Sequence, residues 1–167
     1  IPDTVGLGDT ISSWSIGIPD TTGLFAPLTA PNLALTTAPN DNYYNNEYSG
    51  VVSPCFDFSS LDRPMIKLSY ALETDNNDGL NIAYQDLNGD WQQLGAPGEG
   101  INWFDGYTDG LNEPPLSYNQ GWYQNTDGWQ DARLRLDPIV GDTNVQFNIV
   151  FGSNAGLTSK GAAIDYI

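Results

Sequence analysis

The strongest constraint in this sequence is a period of two. Ile66, Leu68, Tyr70 and Leu72 alternate with Lys67, Ser69, Ala71 and Glu73. The rhythm returns in Leu80, Ile82 and Tyr84, in Ala132, Leu134 and Leu136, and in Val145, Phe147, Ile149 and Phe151. Successive side chains of a strand point to opposite faces, so this alternation predicts strands with one face buried. Helical spacing of apolar residues is missing. Between the runs stand Asp75-Asn76-Asn77-Asp78-Gly79, Asn88-Gly89-Asp90 and Val140-Gly141-Asp142, all of turn composition. Short strands separated by such turns predict an all-β sandwich or barrel. The Asp75–Gly79 run has the look of half a calcium loop. It lacks the bidentate Glu that an EF-hand needs, and so reads as an Asx-rich hairpin turn.

Charge narrows the function. The chain carries 21 Asp+Glu against 5 Lys+Arg, a formal net charge of -16. Such a surface repels a phosphate backbone and an anionic membrane, so neither nucleic acid nor a membrane is an expected partner. Carboxylates in loops attract hard cations such as calcium, although bulk acidity also serves solubility. Histidine is absent, which removes His-based triads and imidazole metal ligation. No Gly-x-Ser-x-Gly elbow, P-loop or Rossmann fingerprint occurs, and with 21 acids any carboxylate pair carries little information. The chain therefore reads as non-catalytic. Cys55, the one cysteine, lies in the apolar run Val51–Phe56 and is expected to be a small buried hydrophobe.

The 167 residues suit one domain spanning 1–167. No apolar stretch reaches membrane-spanning length. Opening at Ile1-Pro2 and closing in the strand-like Ala163–Ile167, the chain reads as a fragment or a processed chain. From Gly95 to Gly128 the alternation gives way to Gly, Pro, Asn, Tyr and Trp. Irregular segments of this length are usually functional or packed against the body.

A set of words in fixed order carries a resemblance. They include Ser12–Pro19, Tyr44-Asn45-Asn46-Glu47, Val52–Leu61, Asp78–Tyr84, Asp90–Gly95 and Ile101–Phe104. Gly121-Trp122, Gly128-Trp129, Phe151-Gly152-Ser153 and Gly161–Asp165 complete it. The chain resembles the MAM-like jelly-roll modules of secreted and cell-surface proteins in gliding, polysaccharide-degrading bacteria. That resemblance implies an antiparallel two-sheet jelly-roll sandwich of concanavalin-like architecture, displayed outside the cell beside other domains of the same polypeptide. It implies a structural calcium held by Glu47 and Asp165, with Asn46 and Asp9 behind them. Independently, calcium takes six to eight oxygens, and Asn45-Asn46-Glu47 supplies them densely. Asp165 stands among Ile164, Tyr166 and Ile167, where an unpaired carboxylate is costly unless a cation, Arg133, Arg135 or solvent meets it.

Aromatic residues crowd the long segment. Flat rings pack on sugars, and Tyr and Trp also suit protein recognition. Trp14, Trp91, Trp103 and Trp129 lie in the family words and are expected to be structural. Tyr107, Tyr118, Trp122 and Tyr123 are expected to be exposed and to bind ligand, with Tyr43 and Tyr44 extending that surface. The readings that follow are an adhesion or recognition module, a carbohydrate-binding module that targets an attached enzyme to polysaccharide, or a structural spacer.

Overall fold

The computed structural model describes residues 11–19, 33–111 and 120–167. Its strands are β1 (Trp14–Gly17), β2 (Ala34–Thr37), β3 (Tyr48–Val52), β4 (Met65–Glu73), β5 (Gly79–Gln85) and β6 (Trp91–Gln93), then β7 (Gly106–Tyr107), β8 (Gln120–Gly121), β9 (Gln130–Arg135), β10 (Phe147–Gly152) and β11 (Gly161–Tyr166). They form a five-stranded sheet ordered β1-β2-β11-β4-β9 and a four-stranded sheet ordered β3-β10-β5-β6. β7 and β8 pair as a separate two-stranded ribbon. Every pairing is antiparallel. The expected all-β sandwich is the fold. Among the described residues no helix is long and apolar enough to cross a membrane.

The alternating runs become the facing layers. Leu68, Tyr70 and Leu72 of β4, with Ala132 and Leu134 of β9, meet Leu80 and Ile82 of β5 and Phe147, Ile149 and Phe151 of β10 in one core cluster. Each fully buried side chain of this size contributes about 1.5–3 kcal/mol relative to exposure. The outer face of the second sheet is covered as well. Val150 points away from the main core and packs with Tyr48, Ala83 and Leu111. Leu111 ends a 3-10 turn, Asp109–Leu111, that lies over β5 and β10. Gly110 and Gly152 touch through their backbones there, and a Cβ on Gly152 would strike the Gly110 carbonyl. The close approach needs glycine.

Two expectations are corrected. Asp75–Gly79 is not a hairpin turn: β4 belongs to one sheet and β5 to the other, so the run crosses between layers. Asn88-Gly89 does make a hairpin, with Gln85 opposite Trp91 and Gly89 at φ 88°. Cys55 is exposed rather than buried. The strand that should have buried it stops at Val52. Pro54 lacks a ladder donor, so the pairing breaks at Pro54-Cys55 and resumes only at a Phe56–Val145 bridge. Beside this break lies an apolar cavity of about 400 Å³, lined by Phe56, Phe58, Met65, Phe147 and Ile167 among others.

Candidate functional site

The sequence places Glu47 directly before β3, and the fold makes it fully buried. Its Oε1 accepts bonds from the Ser13 backbone N–H at 2.8 Å, the Ser13 hydroxyl at 2.8 Å and the Ser49 hydroxyl at 2.6 Å. Its Oε2 accepts from the Tyr44 N–H at 3.3 Å. The Glu47 N–H donates to Ser153 Oγ at 2.9 Å, and Ser153 N–H returns a bond to the Glu47 carbonyl at 2.7 Å. Glu47 therefore clamps the start of β1, in one sheet, to β3 and the end of β10 in the other. A buried carboxylate is tolerated when charge-assisted hydrogen bonds surround it.

This clamp does not fit a calcium ligand shared with Asp165. Oε1 already receives three donors. Asp165 lies elsewhere: the registers pair Trp14 with Thr37, Thr36 with Ala163 and Leu35 with Ile164. At ~3.3 Å per residue, that sets Asp165 roughly 13 Å along the strands from Ser13. Asn46 is exposed, at φ 54°, and its N–H bonds the Asn154 carbonyl at 2.9 Å. Asp9 lies outside the described residues. Among those residues, no three carboxylate or thiol groups gather into a metal cluster. Asp165 is half-buried and falls at the register shift between Ile164 and Tyr166. A bulge leaves one residue without a partner across the ladder. Arg133 and Arg135 do not neutralise it; they lie 3.9 Å from Asp131 and 2.8 Å from Asp137.

Asp78 is a second buried carboxylate. The Tyr43 hydroxyl donates to its Oδ2 at 2.6 Å and the Asn154 N–H to its Oδ1 at 2.8 Å. Burial pushes the Asp78 carboxyl above its usual range, partly offset by those two bonds. Burial likewise pushes the Tyr43 phenol up. Tyr43, expected on a binding surface, is buried, whereas Tyr44 is exposed.

The aromatic segment divides in two. Trp122 is not at the surface but fully buried, as is Trp103 at 2% exposure. The Trp122 ring meets Trp103 at 5.0 Å, Phe104 at 4.8 Å and Tyr70 at 4.9 Å between centroids. Its indole N–H donates to the Asn102 carbonyl at 2.8 Å, and the Trp103 N–H to the Leu94 carbonyl at 2.8 Å. Backbone bonds between Trp122 and Leu80 fasten the segment to β5. Trp122 thus anchors the loop, which corrects its assignment as a ligand contact. Tyr107 is 65% exposed on β7, its hydroxyl accepting from Gln120 Nε2 at 2.8 Å. Tyr123 is partly exposed beside Gly106. Tyr118 lies outside the described residues.

Between these anchors and the β4–β9 edge opens a polar cleft of about 260 Å³. Tyr70 and Phe104 line it, with Asn102 and Asp105 on the loop side. Asn125, Asp127 and Gln130 complete the opposite wall. The Asp105 Oδ2 accepts the Tyr123 and Gln124 N–H groups, each at 3.0 Å. Asn125 Oδ1 accepts the Thr74 N–H at 2.7 Å. Periodicity could not find this cleft. Its members come from strand edges and two irregular stretches, and only Tyr70 belongs to an alternating run.

No protein-family model and no curated protein matches the sequence.

Proposed function

We propose that the chain is a non-catalytic recognition module of a secreted bacterial surface protein, MAM-like and jelly-roll in type. It would act by adhesion through the Gly95–Gly128 segment, in company with other domains of the same polypeptide. The observation that supports this best is the division of labour in that segment. Buried Trp103 and Trp122 fix it to the sandwich, Tyr107 and Tyr123 lie at the surface, and a polar cleft opens along Asn102, Phe104 and Asp105. Rigid presentation of aromatic and amide groups lowers the ordering cost of binding. The partner is a polysaccharide or a surface protein. The concave polar cleft favours the polysaccharide, because specific protein interfaces bury about 800 Å² per partner.

A structural calcium belongs to this proposal at Asp165, not at Glu47. Calcium takes carboxylate oxygens, and the half-buried Asp165 offers them at the register shift. Asp165→Asn is expected to lower the melting temperature in millimolar calcium and to change little in chelator. Equal losses in both would remove the metal from the reading.

The function itself is tested by binding of the folded domain to immobilised polysaccharides and to intact bacterial surfaces. Tyr107→Ala and Tyr123→Ala are expected to weaken binding while the melting temperature stays within a few degrees.

A further inference from the structure

We infer that the cleft between Tyr70, Phe104, Asp105, Asn125, Asp127 and Gln130 is a binding site for a neutral saccharide. The inference rests on the recognition reading above and names its ligand class and its pocket.

Size comes first. A volume of about 260 Å³ lies just below the common span of small-ligand pockets, ~300–1,000 Å³, and suits one or two sugar rings. Chemistry comes next. A sugar has an apolar C–H face and hydroxyls that both donate and accept. Phe104 and Tyr70, each only 4% exposed, form the small apolar part of the lining. The polar groups are held by one set of bonds and keep others open. Asn125 uses its Oδ1 on Thr74 and retains its amide donors. Asn102 uses Nδ2 on the Asp131 carbonyl, at 3.0 Å, and retains an acceptor. Asp105 spends Oδ2 on two backbone N–H groups and keeps Oδ1.

Tyr70 supplies an independent sign. Its side chain is buried, with the residue only 4% exposed, yet it lines the cleft. Among the described residues no hydrogen bond joins its hydroxyl to the protein. That hydroxyl is not sealed from solvent; it opens to the cleft and is available to a ligand hydroxyl. Asn102 and Phe104 add strain to the same wall, at φ 48° and φ 40°, where side chains other than glycine are uncommon.

Sign of charge selects the sugar. Asp105 and Asp127 line the cleft and, among the described residues, neither Lys nor Arg does, on a chain of net charge -16. Uronic acids and sulfated sugars would meet like charge. Neutral hydroxyls donate to the carboxylates instead.

The test titrates the full chain with cellohexaose, xylohexaose, mannohexaose and laminarihexaose, with hexagalacturonate as the anionic counterpart. Calorimetry and tryptophan fluorescence report binding. At least one neutral hexaose is expected to bind, and hexagalacturonate is not. Tyr70→Phe, which keeps the ring packing on Trp122, should weaken binding about threefold to tenfold. Asp127→Ala, at an exposed position, should weaken it about tenfold or more without loss of melting temperature. Failure of all four neutral sugars to bind at millimolar concentration would overturn the inference. So would binding that both cleft variants leave unchanged. If Tyr107→Ala alone abolished that binding, the cleft would fall and the recognition module would stand.

Discussion

The rings of Tyr70, on β4, and Trp122, just after β8, lie 4.9 Å apart between centroids and are tilted by 35°. One comes from the most regular strand and the other from the least regular part of the chain. Their contact seats the irregular segment on the sandwich. It also sets one wall of the polar cleft, because Tyr70 lines both the core and that opening.

Removing the anchor should therefore unfold more than a loop. Trp122→Ala is expected to cost about 3–5 kcal/mol, the range for emptying a large aromatic site in a packed core. Denaturant melts check this. Tyr107→Ala, at an exposed ring, should stay within about 0.5 kcal/mol. Similar losses for the two would contradict the burial described for Trp122.

Glu47 should behave as a clamp in the same assay. Glu47→Ala strips the acceptor from Ser13, Ser49 and Tyr44 at once. A loss on the order of 3 kcal/mol is expected, since hydrogen bonds to charged groups are the strong class. The loss should be the same in calcium and in chelator. A loss confined to calcium-containing buffer would return Glu47 to the metal.

Asp78 predicts a pH dependence. Burial holds its carboxyl above the ordinary range, so the folded protein retains a proton that the unfolded chain releases first. Its contribution to stability is present at low pH and is lost as pH rises through the folded-state value. Wild type should therefore lose stability relative to Asp78→Asn over that interval. Parallel pH profiles for the two proteins would show that Asp78 titrates normally.

The Gly110–Gly152 contact predicts intolerance to a single methyl group. Gly152→Ala should destabilise by at least about 1–3 kcal/mol, the cost of overpacking, because the Cβ meets backbone rather than a flexible side chain. Thermal denaturation checks it. An unchanged melting temperature would mean that the Asp109–Leu111 turn does not seat on β10.

Much of the sandwich was legible in the sequence because alternation is a local signal. Ile66 to Leu72 and Phe147 to Phe151 announce both the strand and its inward face. Connections were harder to read. The Asp75–Gly79 composition is right for a turn, but whether a turn pairs its strands or crosses between sheets depends on contacts far along the chain. Trp122 was misplaced for a related reason: an aromatic flanked by Gly and Tyr looks exposed until Leu80, Tyr70 and Phe104 close around it. The Glu47 acid was legible, its role was not. Its donor Ser13 lies 34 residues away, and Ser153, whose Oγ accepts the Glu47 N–H, lies 106 residues away. The cleft shares that difficulty, since it exists only once Asn102, Asn125 and Gln130 are folded together.

The recognition role is tested most directly by exposing the folded domain to a glycan array and to intact bacterial surfaces, with calcium and with chelator. The account predicts retention on a defined class of neutral polysaccharide, weakened by Tyr107→Ala and Tyr123→Ala. A domain that melts cooperatively yet is retained by no glycan and no cell surface under either condition would contradict it.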